Sequence, residues 1–215
     1  PDYVDAHLNL SLIHAAMGRT DLAVEEFRRV QQLDPENHMP SQTLALFYLL
    51  GSRHAEAAAE FRATRLILRR SPIGSWGILW ASAGAGRWDE AARSLSDMLG
   101  QPVVLDRDPA SHRDTFRREL RRLIPLFTAR EQSGLVDPYA LACIHAQVGD
   151  LDSAFAALDR AYDLNSASIL WVAVDPRLAI LRGDPRYDPY VEKIGLRRWW
   201  RDLAPRTATA TRGLD

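Results

Sequence analysis

An all-α fold, a right-handed solenoid of helix–turn–helix repeats, is what the sequence predicts, and three observations predict it. The first is a recurring phrase. Gly18-Arg-Thr-Asp-Leu-Ala23 leads to Phe27, Gly86-Arg-Trp-Asp-Glu-Ala91 to Leu95, and Gly149-Asp-Leu-Asp-Ser-Ala154 to Leu158. Each copy sets a Gly at a turn, a small Ala five residues on, and a bulky apolar residue four further along. The second is the period: a looser copy, Gly51 to Ala57 to Phe61, places the turn glycines 33 and 35 residues apart. A repeat near 34 residues is one helical hairpin, which buries its apolar face only by stacking on its neighbours. The third is the 3.6-residue recurrence of apolar positions between the turns, the mark of amphipathic helices.

Composition narrows the function. The chain has 215 residues, 47% of them hydrophobic, and a formal net charge of −1. That balance gives no electrostatic case for nucleic acid or an anionic membrane. The basic residues are 26 Arg against the single Lys193, a usage expected of a GC-rich bacterial genome. Cys143, the one cysteine, excludes an internal disulfide framework and fits a reducing, cytoplasmic compartment. The uncharged stretch from Ile73 to Gly86 runs 14 residues and contains four Gly and two Ser. It falls short of the roughly 20 residues a spanning helix needs. No signal-peptide pattern opens the chain, and Pro1 in place of an initiator Met predicts a piece of a longer protein.

A single solenoid domain is predicted over 4–196. Repeat one covers 4–37: Leu8, Leu12 and Ala15 form one stripe of its first helix, and Leu10, His14 and Met17 another. Gly18 stops that helix because glycine enters the left-handed conformation freely. The second helix is expected to bury Leu22, Ala23, Phe27, Val30 and Leu33, with Ala23 small because the paired helices approach most closely there. Repeats two and three follow over 38–70 and 72–105. In repeat two either Glu56 occupies the small-residue position or the turn is one residue longer. An insertion follows, read as one extra helix over 111–124, with Phe116, Leu120, Leu123, Ile124 and Phe127 falling on one face and Pro125 ending or kinking the helix near Ile124. Its opening, Ser111-His-Arg-Asp114, has capping-box spacing. Repeat four spans 136–166, opened by Asp137-Pro138 as N-cap and first helical residue. Two copies of one helix-start device, Asp175-Pro-Arg-Leu178 and Asp184-Pro-Arg-Tyr187, then begin a C-terminal cap over 168–196. The Thr/Ala/Arg/Gly mix of 204–215 has no apolar period and predicts disorder.

These residues resemble the tetratricopeptide repeat over most of 4–166. The run Asp137-Pro-Tyr-Ala-Leu-Ala142, Gly149-Asp-Leu-Asp-Ser-Ala-Phe155, Ala161-Tyr162 is similar to the last repeat of a large bacterial group, as is Trp171-x-x-Val-Asp-Pro-Arg-Leu178 with Leu181-Arg-Gly-Asp-Pro-Arg-Tyr187 and Ile194-Gly-Leu196. In that group such tails close chains that begin with a Ser/Thr kinase, a winged-helix DNA-binding domain or a nucleotide cyclase. The resemblance therefore implies a protein-interaction or regulatory module in signal transduction, fused to an N-terminal domain. Pro189 departs from the family, which usually carries a helix former there.

In stacks of this family the first helix of each repeat lines the concave face. That assigns Leu8 and Leu12, Ala45 and Tyr48, Trp76 and Trp80, and Tyr139 and Cys143 to a partner-binding groove. So much exposed apolar and aromatic surface marks a binding site unless the inserted helix or the C-terminal helices fill it. The family's carboxylate clamp is unsupported, since Leu8 and Leu12 stand where its polar residues belong. Arg113, Arg117, Arg118, Arg121 and Arg122 form a basic stripe, either a secondary surface for an acidic partner or a solvated face. Arg197-Arg-Trp-Trp-Arg201 is either a weak surface anchor or packing against the cap.

Catalysis is not expected. His7, His14 and His145 sit where packed histidines belong, no P-loop, zinc-protease or serine-hydrolase phrase appears, and Gly74-x-x-Gly77 and Gly84-x-Gly86 follow no strand. No metal site and no cofactor are expected. The sequence thus favours a scaffold that binds a protein or peptide in an apolar, aromatic groove, with no direct nucleic-acid contact and no membrane span. The alternative is a small-ligand-sensing domain that regulates a fused kinase, cyclase or DNA-binding domain. Pocket shape separates the two, an open groove favouring peptide and an enclosed cavity of a few hundred cubic ångströms favouring a small molecule.

Overall fold

The computed structural model describes residues 3–34, 40–67 and 73–195, and all its regular elements are helical. Three hairpins come first: α1 (Val4–Ala16) with α2 (Thr20–Leu33), α3 (Pro40–Leu50) with α4 (His54–Ile67), and α5 (Ile73–Gly84) with α6 (Trp88–Leu99). Then follow α7 (His112–Leu120), α8 (Leu123–Gln132) and a fourth hairpin, α9 (Pro138–Val148) with α10 (Leu151–Asp163). Two 3₁₀ segments, Ala167–Trp171 and Pro176–Gly183, lead to the last helix, α11 (Tyr187–Lys193). Within each hairpin the helices pack on each other, and α2 on α3 and α4 on α5 join successive hairpins into a helical solenoid.

The turns explain the irregular glycine spacing. Gly18, Gly86 and Gly149 have φ of 69°, 68° and 84°, but in the second hairpin the left-handed residue is Ser52, with φ 58°. From Gly18 to Ser52 is 34 residues, and from Ser52 to Gly86 is 34 again. Ala57 then stands five residues after the turn, as Ala23 and Ala91 do, and all three are fully buried. The repeat is regular; glycine alone was an imperfect marker of it. Gly51 is kept for a different reason, because a β-carbon there would collide with the Thr20 side chain of the preceding hairpin.

The α4–α5 contact accounts for the glycines of α5. A β-carbon on Gly77 would fall on the ring of Phe61, and one on Gly74 or Gly84 would press on Arg65 or His54. These glycines bring two helices together and cradle no phosphate. In α2 Ala23, Phe27 and Val30 are buried as expected, but Val24 is buried in place of Leu22, which is 44% exposed.

The insertion is two helices, not one over 111–124. Helix α7 stops at Leu120, and Arg121 and Arg122 make the turn into α8. Pro125 lies in the first turn of α8, where its missing N–H has no intrahelical partner to lose. It therefore starts a helix that the sequence suggested it would end. Asp108 caps a short 3₁₀ turn before α7 by accepting from the Ala110 N–H. Pro189 likewise falls in the first turn of α11. Leu178, Leu181, Tyr190 and Val191 are buried, and Tyr187 and Ile194 half-buried. The 204–215 tail and the Arg197–Arg201 cluster lie outside the described residues.

Two outcomes follow for stability. Ala23→Leu and Ala154→Leu, at fully buried positions, should each lower chemical stability by about 1–3 kcal/mol through overpacking; unchanged unfolding midpoints would place the helix contact elsewhere. Ser52→Gly should raise stability by up to about 1 kcal/mol, because a non-glycine residue in the left-handed region is strained. An unchanged or lowered midpoint would show that Ser52 is not strained there.

Candidate functional site

The groove residues expected on the concave face do not form an open groove. Ala45, Tyr48, Trp80, Tyr139 and Cys143 are buried, and Leu8, Leu12 and Trp76 are half-buried. Trp76 and Trp80 do meet edge to face, with ring centroids 5.1 Å apart, but Phe127 of α8 stacks on Trp76 at 4.9 Å. The inserted helix pair has an apolar face to bury, and this is where it buries it. Tyr48 stands apart from the tryptophans, under Arg53 at 4.7 Å, with its hydroxyl accepting from Arg28 Nη2 at 3.2 Å. Leu8 and Leu12 stay on α1, packed against the core.

The C-terminal 3₁₀ segment Pro176–Gly183 lies along α9. Its anchor is an ion pair removed from solvent. Asp175 is fully buried, and Arg177 is 9% exposed. The Arg177 guanidinium donates to both carboxylate oxygens, with Nη2 to Oδ2 at 2.5 Å and Nε to Oδ1 at 2.9 Å, and the Arg177 backbone N–H also donates to Oδ1 at 2.9 Å. Helix α9 completes the set. The Tyr139 hydroxyl donates to Asp175 Oδ2 at 2.9 Å, and Gln147 Nε2 to the Arg177 carbonyl at 2.7 Å. The guanidinium also lies 5.8 Å from the Trp80 ring centre. Three of the expected groove residues, Trp80, Tyr139 and Cys143, thus surround this pair. Burial, and then the Asp175 charge, pushes the Tyr139 hydroxyl well above its ordinary pKa. Burial likewise pushes the Cys143 thiol up, which leaves it protonated and inert as a nucleophile.

Sequence reasoning saw the two Asp-Pro-Arg copies as helix starts and missed this second use. In the second copy Asp184 Oδ1 again accepts from the backbone N–H and Nε of the residue two ahead, Arg186, both at 2.9 Å. The geometry is the same and the setting is not: Arg186 reaches the surface carboxylate of Asp152 and lies over Phe155. Its hydrogen bonds hold the Asp184 carboxyl down to about 2.

By crossing the concavity, the C-terminal segment leaves two hollows with Pro176 in the wall of both. The larger, about 910 Å³, is an open cleft between the first two repeat turns and the cap, lined by Met17, Leu22, Leu50, Val174, Ala179 and Tyr187 among others. The smaller, about 390 Å³, lies between Trp80, Trp88, Phe116, Arg113, Arg117 and Arg177. The basic stripe is accordingly split. Arg118 and Arg122 pair with Glu119, and Arg121 donates to the Val148 carbonyl at 3.0 Å. Only Arg113 and Arg117 of the five line a hollow. Among the described residues there is no group of three or more side chains able to hold a metal, and no helix long and apolar enough to cross a membrane.

The family model described as tetratricopeptide repeat matches residues 4–37 and 139–168. These segments contain the first and fourth hairpins, and with the helical solenoid between them they support a tetratricopeptide-repeat protein. Repeats of this type mediate protein–protein interaction. No curated protein and no solved structure matches the chain.

Loss of one member of the buried pair should be severe, since the other is left charged and unmatched. Asp175→Asn should destabilise the chain by about 3–5 kcal/mol, and Tyr139→Phe by about 1–1.5 kcal/mol. Asp184→Asn, the same change at the copy whose arginine is exposed, should cost less. Equal midpoints for Asp175→Asn and Asp184→Asn in chemical unfolding would remove the buried pair from its central place. Trp80→Ala, at a 3% exposed position, should cost about 3–5 kcal/mol as a core truncation.

Proposed function

We propose that this chain is a protein-interaction module whose partner enters the larger cleft as an extended peptide. The carrying observation is the shape and chemistry of that cleft. It holds about 910 Å³, opens to solvent, and takes its apolar wall from three segments distant in sequence: the α1–α2 turn, the α3–α4 turn and the C-terminal cap. Leu22, 44% exposed although a core place was expected of it, sits in this wall. Arg19 and Arg182 stand among the apolar side chains, while Arg53 is paired with Asp21 in the same wall, an arrangement suited to apolar anchors on a peptide with some acidic residues. The aromatic residues first expected to bind a partner serve here to hold the cleft's far wall in place.

A small-ligand-sensing role is a second reading, favoured by one specific observation. The smaller hollow, at about 390 Å³, has the scale of sites for small molecules and is too small for an extended peptide.

The peptide reading is tested by charge insertion. With the wild-type chain as bait, a captured partner should lose at least tenfold affinity for Leu22→Arg and for Ala179→Arg, both at exposed positions. Leu126→Arg, which is 43% exposed on α8 and lines neither hollow, should bind as wild type. Equal binding by all three variants, with unfolding midpoints unchanged, would move the partner off this cleft.

A further inference from the structure

The smaller hollow carries charge of one sign. Arg113, Arg117 and Arg177 line it, and no Asp or Glu does. The Arg177 charge is answered by Asp175. Arg113 and Arg117 have no ion-pair or hydrogen-bond partner among the described residues. They stand four residues apart on α7, hence one turn above each other on one face. Two guanidiniums side by side repel unless something negative lies between them, and each offers a fork of donors matched to a carboxylate or phosphate.

The inner wall adds an apolar surface. Trp88 and Phe116 pack with centroids 5.6 Å apart, and Trp80, 3% exposed, completes the lining. His54 is also in the wall. Burial, and then the nearby Arg87 charge, lowers its pKa, so at pH 7 the imidazole adds no further charge.

We propose that this hollow binds a small organic anion, with a flat aromatic or apolar body against Trp80, Trp88 and Phe116 and a carboxylate or phosphate held between Arg113 and Arg117. The proposal rests on the small-ligand reading above and names its ligand class. A neutral apolar ligand would leave the arginine pair unanswered. Inorganic phosphate alone would leave the aromatic wall unfilled.

Benzoate, phenyl phosphate, inorganic phosphate and neutral benzamide, titrated into the full chain by calorimetry and tryptophan emission, test it. Benzoate or phenyl phosphate should bind saturably, the tighter of the two identifying carboxylate or phosphate as the preferred group, and benzamide and inorganic phosphate should bind at least tenfold more weakly. Binding should fall with added salt. The double variant Arg113→Ala/Arg117→Ala should lose at least tenfold affinity with its unfolding midpoint unchanged, whereas Arg118→Ala should bind as wild type. Benzamide binding as tightly as benzoate would overturn the anion while leaving a small-ligand pocket. Saturable binding by none of the four probes would overturn both, and binding that survives the double arginine variant would overturn the site.

Discussion

The buried pair of Asp175 and Arg177 is the constraint on which the arrangement of the concave face depends. Its two members are two residues apart, so the pair itself ties the C-terminal segment to nothing. It neutralises the segment before the segment is buried. Attachment comes from outside: the Tyr139 hydroxyl on the carboxylate, Gln147 on the Arg177 carbonyl, and the Trp80 face beside the guanidinium. Moving an ion pair out of water is costly, and only full hydrogen bonding makes it tolerable. The contacts to α9 and α5 are therefore positional. A segment shifted by one residue would bury the same charges without them, and that alternative is excluded by its energy. The consequence is a defined course for Pro176–Gly183 along α9, and with it the division of the concavity into two hollows.

This shows why the concave residues were legible as a class and not by role. That Trp76, Trp80, Tyr139 and Cys143 lie on first helices of hairpins follows from the turn positions alone. Whether such a face meets solvent depends on what later parts of the chain do, and the period carries no information about that. The signals were present but separate. The inserted helices had an apolar face without a partner, and Phe127 finds it on Trp76. Asp-Pro-Arg occurred twice, and only tertiary placement makes one copy a core ion pair and the other a surface clamp.

Local departures from the sequence pattern have equally specific descriptions. Glycine marks the left-handed turn residue in three hairpins, but in the second hairpin Ser52 adopts that conformation and the neighbouring Gly51 serves the close approach of Thr20. Proline inside a helix removes a hydrogen bond, which is why the sequence predicts a stop or kink at Pro125. In the first turn there is none to remove, and the chain breaks earlier, after Leu120. Apolarity alone predicts a core place for Leu22, but Val24 takes the buried position and Leu22 is left in the cleft wall.

The fold and its candidate sites are thus linked by a single trade. An open solenoid offers one long concave surface, which must be polar enough to stay in water or be covered. Here the chain covers it with its own C-terminal segment and inserted helices, and the aromatic residues become core. What remains is smaller and more selective in chemistry. The segment's outer side, with Val174, Ala179 and Tyr187, faces the first two repeat turns across an apolar cleft. Its inner side, with Arg177, faces the arginines of α7 across a cationic one. Because Pro176 borders both hollows and Arg177 is locked to Asp175, the placement of this one segment sets a wall of each.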